Sequence, residues 1–503
     1  MLPLHGVGEA RPDFPTVAAM LDHAAATAPE VVALRHRGQA LSYAGLDAAA
    51  GALAHRLAAR LPPGEVVALL IPNGIAFHIA YWAALKARLT PALLNAAYPV
   101  PQLTPLAAEA APRLVLHTAE TAANAAALGA ETLAVETAPP AAPALPLPPP
   151  TPQDIAALLF TGGTTGTPKA VEHSHARTVL ACRAMEYNWP TRARGETWLA
   201  LAPFAHIFGF MQGVVNPVFG RATIVIPERF RPGEILALLA EHRVTVLGGG
   251  PPALYAGLLA AEGFATADLS ALRVCPSGGA PFPAELSRRW REATGLEIHE
   301  GYGMTEMAAI AGANALTGLR PGAVGKPIPC NEVQVVEIET GTRVLPAGER
   351  GEIRVRGPHM MQGYRNRPAE TAQAIREGFL YTGDIGHLDS EGFLFITDRR
   401  KDVVIVKGFN VFPREVEEAI HAHPAVGAVG VIGTPDARSG GERVIAFVVP
   451  RPGAALDAAA IAAHCAARLA PYACPAEIRI LDALPMTAAG KTDRLALRRA
   501  ADT

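Results

Sequence analysis

Residues Phe160–Val171 read FTGGTTGTPKAV, directly after the apolar run Ile155–Phe160 and ahead of a helical stretch, His175 to Met185. Glycines let a backbone approach an anion, threonine hydroxyls add donors, and Lys169 supplies a point charge. The pattern predicts a strand, a phosphate-cradling loop and then a helix. It is not a Walker loop, because Pro168 precedes Lys169 and Ala170 follows it, where that motif needs Gly-Lys-Ser/Thr. A flexible Gly/Thr turn is the plainer reading, and the flanking strand, helix and lysine tell against it.

Outward from this loop, Glu65–Ile71 reads as a buried strand and Ala76–Ala87 as the helix after it. Ala40–Leu61 has a short strand-like start and then helical spacing. Thr223–Ile226 and Val244–Leu247 read as strands around a helical Pro232–Glu241. This alternation points to a parallel α/β sheet. The proline-rich Ala138–Pro152 is an extended connector, read as a surface loop inside one large domain rather than a linker. Past Ile328 the strands shorten (EVQVVEI, GEIRVRG, GFLFITD), and the tail from Arg399 mixes strands with helices at Glu415–His423 and Ala458–Leu469.

A chain of 503 residues exceeds one ordinary core, and 50% hydrophobic with 18% charged residues is globular composition. A net charge of −2 offers no basic field for nucleic acid or an anionic membrane, so phosphate has to be captured locally. Five cysteines lie scattered without CxxC spacing, which argues against a disulfide frame or zinc site and suits a reducing compartment. The start lacks a basic region followed by an apolar core, and no apolar run reaches membrane-spanning length. The expected location is cytoplasmic.

Further motifs follow in order: SGGAP at Ser277–Pro281, GYGMTE at Gly301–Glu306, YTGDIG at Tyr381–Gly386, DRRKDVVIVKGFNVFPREVEE at Asp398–Glu418, and PMTAAGKTDR at Pro485–Arg494. With LSYAGL and VALLIPNG near the start, the chain resembles the adenylate-forming superfamily of acyl-CoA synthetases, adenylation domains and luciferases. It is most similar to an acyl-CoA synthetase. The resemblance implies an α/β fold with a large N-terminal domain of αβ-layered sheets plus a β-rich subdomain (residues 1–398). A small mobile α+β C-terminal domain (residues 399–503) would carry the catalytic lysine.

It also implies roles. Thr161, Gly162, Thr164, Thr165, Gly166 and Lys169 would bind the ATP phosphates. Gly278, Gly279 and Ala280 would border adenine, with Glu300, Gly301, Tyr302 and Gly303 beside them. Tyr302 offers a stacking face. Thr305 would donate to phosphate and Glu306 would be the oxygen ligand of Mg²⁺; in isolation a Thr-Glu pair reads as a helix cap. Asp384 would accept the ribose hydroxyls, assisted by Arg399. Lys401 stands at the hinge, Lys407 and Gly408 at the CoA tunnel, and Lys491 at the α-phosphate and acyl carboxylate. His206 in PFAHIFGF would line the acyl pocket with Phe210, Gly248, Gly249, Gly250 and Ala308.

Those pocket residues are small or apolar, with no Arg or Lys for a second carboxylate and no Asp for an amine. A hydrophobic monocarboxylic acid follows, fatty or aryl, and the TGGTTG and GGG spellings lean towards an aliphatic chain. The implied cofactors and co-substrates are ATP, Mg²⁺ and CoA. No Ser-centred carrier segment follows Lys491, so the acceptor is expected in trans: CoA, or alternatively a carrier protein. A luciferase-like oxygenase is a third reading, and a non-enzymatic nucleotide-binding scaffold a fourth. No pattern sets the oligomeric state, and a homodimer is admitted. Ala170, Arg88-Leu89 and Ala205 depart from common family residues, the last within the acyl pocket.

Overall fold

The run Ile155–Phe160 is a strand with four buried central residues, set inside a seven-stranded sheet. The computed structural model describes residues 12–135, 137, 147–161, 168–189, 192, 195–280, 282–313, 317–406, 409–436, 441–451, 453–486 and 492–501. Packing divides the chain into two units, Met1–Glu332 with Val355–Leu380, and Val333–Arg354 with Tyr381–Thr503.

In the first unit the large sheet runs Gly363–Tyr364, Ala170–Ser174, Ile155–Phe160, Thr90–Leu93, Val66–Leu70, Leu114–His117, Glu131–Ala134. From Ile155–Phe160 to Glu131–Ala134 every pairing is parallel. Parallel strands need cover on both faces and read as unbroken apolar runs; Val66–Leu70 is buried at all positions. A second sheet has the order Val246–Gly248, Thr197–Ala200, Thr223–Val225, Val32–His36, Gln39–Ser42. Helix Ile75–Lys86 touches strands of both sheets and buries all but its last residue, which explains why it is apolar all round. Helix Tyr43–Ala58 starts at Ser42, whose side chain accepts from the Gly45 N–H. A third sheet, Cys275–Gly278, Ile298–Met304, Ala308–Gly312 and Lys326–Pro327, carries two of the motifs.

The helix expected from His175 begins there and runs to Asn188, capped by Ser174. Between the Gly/Thr loop and that helix lies a strand the sequence reading did not assign: Ala170–Ser174 turns back antiparallel to Ile155–Phe160. Pairing on both edges decides this, since Ala170–Ser174 is also bonded to Gly363–Tyr364. The strand expected at Val244–Leu247 is shifted to Val246–Gly248.

The connector Ala138–Pro152 joins Glu131–Ala134 to Ile155–Phe160, both in the large sheet, so it is an excursion within one unit. Its residues 138–146 lie outside the described residues. The departure at Arg88 is accommodated in a left-handed conformation (φ 57°), with the guanidinium Nε 3.0 Å from Asp154 Oδ2.

In the second unit, strand Phe379–Leu388 pairs with Leu394–Arg399 in a hairpin that sets Asp384 opposite Arg399. Helix Pro413–His421 buries Val416 and Ile420. The long antiparallel pair Val426–Pro435 and Glu442–Pro450 takes Glu477–Ile480 as a parallel neighbour. Helices Ala458–Ala466 and Arg494–Ala501 complete it.

Arg494 gathers three carboxylates: Asp398 (3.4 Å), Asp402 (3.3 Å) and Glu417 (2.8 Å). Burial pushes the carboxyls of Asp398 and Glu417 up, and the Arg494 charge opposes this. Removing the cation leaves buried carboxylates facing one another, which costs about 3 kcal/mol. In calorimetry, Arg494→Ala should lower the melting temperature by several degrees, while Arg494→Lys should recover part of the loss.

Candidate active site

The phosphate loop is closed at its base. The Thr161 N–H donates to the Lys169 carbonyl at 3.1 Å, and Phe160 pairs with Ala170. Lys169 therefore stands at the mouth of a strand–loop–strand hairpin. The element that follows Lys169 is a strand, and the next helix starts at His175. Gly162, Thr164, Thr165 and Gly166 lie outside the described residues.

GYGMTE falls on strand Ile298–Met304 and the turn after it, so Thr305 and Glu306 cap no helix. The strand pair with Ala308–Gly312 has a bulge between Tyr302 and Gly303. A Cβ on Gly303 would sit 1.7 Å from the Ala308 carbonyl oxygen, so only glycine fits, and Ala308 itself is left-handed (φ 57°).

Three bonds knit together this turn, the strand Ala170–Ser174 and the segment 361–365. The His173 ring Nε2 lies 2.7 Å from the Thr305 carbonyl. Burial drives the His173 pKa down to about 4, so the ring is neutral near pH 7 and Nε2–H is the donor. The Met361 N–H donates to the Glu306 carbonyl at 2.7 Å, and the Arg365 N–H to the Ala170 carbonyl at 2.8 Å.

Tyr364, paired opposite Val171, completes the set. Its hydroxyl donates to Glu306 Oε1 at 2.8 Å, and the Lys169 Nζ lies 4.6 Å from its ring centroid. Burial and the Glu306 charge push the phenol far above its ordinary range, which keeps it a donor. Glu306 is 7% exposed. One held carboxylate suits Mg²⁺, which binds through one or two carboxylates plus substrate phosphates, and no cluster of three acidic, His or Cys ligands occurs among the described residues. The structure thus brings Lys169, Thr305 and Glu306 together around Tyr364 and His173, two residues the motif reading missed. Neither stands in a recognisable motif, and Tyr364 is 58 residues from its partner.

The adenine and acyl segments also meet. Gly278 pairs with Gly301 and Ser277 with Glu300 on parallel strands, so Gly279, Ala280 and Tyr302 lie at adjacent carboxyl ends. Gly250 bridges to Ser277, whose hydroxyl donates to the Gly250 carbonyl at 3.0 Å. Gly249 is left-handed (φ 64°), and a Cβ there would strike the Phe208 ring at 2.4 Å; the same ring lies 3.3 Å from a Cβ built on Gly278. Phe208 is thus a third missed residue, one that joins the two glycine segments. His206 is exposed, and its Nδ1 accepts from the Phe208 N–H (3.4 Å), capping the short helix Ile207–Phe210. Phe210 is 1% exposed and packs edge-on against Tyr81, so the structure places it in the core.

In the second unit, Arg399 Nε lies 2.8 Å from Asp384 Oδ1, so the expected ribose pair is in contact. Lys401 sits in the turn Arg400–Asp402. Lys407, Gly408 and Lys491 lie outside the described residues. Met486 and Thr492, described residues on either side of Lys491, form an antiparallel bridge.

His173, and with it His175 and His359, has a folded pKa of about 4. Because the unfolded rings bind protons near 6.5 and the folded ones do not, stability is full above that pH and falls as pH drops towards 4. Melting temperatures between pH 7.5 and 4.5 should decline below about 6.5. His173→Gln should show a shallower decline.

The model of the family "AMP-binding enzyme" matches residues 21–365, and that of its C-terminal domain residues 415–491. A long-chain-fatty-acid–CoA ligase of Bacillus subtilis is 41% identical over 67% of this chain and 60% of that protein. A feruloyl-CoA synthase of Amycolatopsis is 35% identical over 94% of this chain and 96% of its own length. Among solved structures, ATP-bound MatB of Rhodopseudomonas palustris has a TM-score of 0.89 at 32% identity, covering 96% of this chain and 98% of its own. The α/β fold, with a large N-terminal and a small C-terminal domain, is the one these adenylate-forming enzymes share. The chain belongs to the family of AMP-binding enzymes, and the relatives named above include a CoA ligase and a CoA synthase.

Proposed function

We propose that this chain is an ATP-dependent acid–thiol ligase that converts a hydrophobic monocarboxylic acid, fatty or aryl, to its acyl-AMP and then to the CoA thioester. The observation that carries the reading is the Lys169–Tyr364–Glu306 cluster beside the phosphate loop. The small or apolar residues at Gly248–Gly250 and Ala308–Gly312 support the hydrophobic acid, and so do the names of the long-chain and feruloyl relatives.

A carboxylate activates poorly because its leaving group would be oxide. Attack of its oxygen on the α-phosphorus of ATP makes an anhydride whose leaving group is AMP, with pyrophosphate departing. The chemistry needs positioning and charge stabilisation more than proton transfer. Lys169 and the loop hydroxyls would hold the departing phosphates, and Glu306 would hold Mg²⁺, which supplies neutralising charge when bound. Asp384 would orient the ribose, and Arg399 would share that carboxylate. His206 would stand at the acyl entrance, and Lys491 would stabilise charge at the reacting phosphate.

For the thiol step, residues 399–503 would pivot at Lys401 and bring Lys407 and Gly408 to the site. Gly408 leaves room for a slim pantetheine arm. The compact division enters the second unit at Tyr381, because Thr382 and Tyr381 bond to Ile353 and Arg354. A pivot is a property of the chain's motion, and Lys401 is proposed for it on the motif alone.

Pyrophosphate release should occur with ATP, Mg²⁺ and one class in a panel from short to long fatty acids and benzoate- or cinnamate-type acids. With CoA present it should become multiple-turnover. A stall with CoA, relieved by a phosphopantetheinylated carrier, would move the acceptor to a protein. Lys491→Ala should lose adenylation by roughly 100-fold or more. Its thioester formation from supplied acyl-AMP and CoA should change little, and unchanged adenylation would overturn the assignment of Lys491.

A further inference from the structure

We infer that Tyr364 is the positioning residue of the nucleotide site, orienting Glu306 through its hydroxyl and Lys169 through its ring. The inference rests on the roles proposed for Lys169 and Glu306, and it adds a residue that no motif assigns.

The geometry is specific. A carboxylate with one oxygen held at 2.8 Å by a phenol has its plane set, whereas a free glutamate turns about its last torsion. A lysine ammonium 4.6 Å from a ring centroid is drawn to the ring face, which limits the swing of a long flexible stem. Both contacts come from one side chain that is itself fixed. Tyr364 is 9% exposed, its strand is paired with Ala170–Ser174, and its N–H donates to Thr371 Oγ1 at 2.9 Å. Glu306 is fixed independently by the Met361 N–H bond to its carbonyl. The phenol therefore relays between two charged groups of opposite sign without neutralising either. A direct Lys169–Glu306 ion pair would compete with phosphate and metal for both partners, and an aromatic spacer avoids that competition.

The two contacts separate by mutation. Tyr364→Phe keeps the ring and removes the hydroxyl, and Tyr364→Leu removes both. Binding of ATP is measured by calorimetry with EDTA and with Mg²⁺, alongside the Mg²⁺ dependence of pyrophosphate release. Tyr364→Phe should leave metal-free ATP affinity within about 2-fold of the parent and raise the half-saturating Mg²⁺ concentration about 10-fold. Tyr364→Leu should also weaken metal-free ATP binding about 5-fold. In a Glu306→Gln background, Tyr364→Phe should have no further effect on the Mg²⁺ response, because the hydroxyl acts only through that carboxylate.

An unchanged Mg²⁺ response in Tyr364→Phe, or an equal additional loss in the Glu306→Gln background, would overturn the inference and leave Tyr364 a packing residue. Lys169→Ala and Glu306→Gln, run in parallel, keep the two failures apart. If neither alters ATP or Mg²⁺ binding, the site reading itself fails. If both do and the Tyr364 variants do not, only the positioning role falls.

Discussion

A carboxylate that is 7% exposed has to be held by donors, and the way Glu306 is held organises the first unit around it. Its side chain takes the Tyr364 hydroxyl and its carbonyl takes the Met361 N–H, so one residue is gripped twice by the segment 361–364. That segment can reach it because Gly363–Tyr364 adds to the edge of Ala170–Ser174. The same edge strand carries His173 to the Thr305 carbonyl and starts one residue past Lys169. Three stretches far apart in the chain thus converge through backbone pairing, and the charged groups are placed by the sheet rather than by local loop shape.

The strand Ala170–Ser174, set between the loop and helix His175–Asn188, matters for the chemistry as well as the topology. A helix beginning at the loop would have lent its N-terminal dipole to the phosphates. With a strand there, the helix starts at His175, and its first N–H groups donate to the Asp154 and Pro152 carbonyls and to the Ser174 hydroxyl. In the proposed function, anion binding would fall to Lys169 and to the hydroxyls and amides of the Gly/Thr segment. That division of labour makes the placement of a single ammonium more important, and it gives the aromatic face beneath Lys169 a physical reason.

Much of the fold was legible. Ile155–Phe160 and Pro232–Glu241 have the bounds expected of them, because an unbroken apolar run and a proline-led amphipathic stretch are local signals. Asp384 and Arg399, expected to work together, are in contact because the hairpin register puts them opposite each other. The neighbours of Phe210 were not legible: it packs edge-on against Tyr81 of the buried helix Ile75–Lys86. Periodicity marks a residue as apolar and cannot say which apolar surface it meets.

What the sequence by itself determined was the set of chemical groups and their order: a glycine-rich segment with Lys169, a carboxylate at Glu306, another at Asp384 and a lysine near the end. Glycine, lysine and carboxylate have roles that depend on residue type and short spacing, so a linear reading reaches them. Only the tertiary structure decided that Tyr364 stands between Lys169 and Glu306, that His173 ties Thr305 to the loop's strand, and that Phe208 fills the space left by Gly249. These contacts span long loops and depend on strand register, which is set by pairing across the sheet and has no signature in the local sequence.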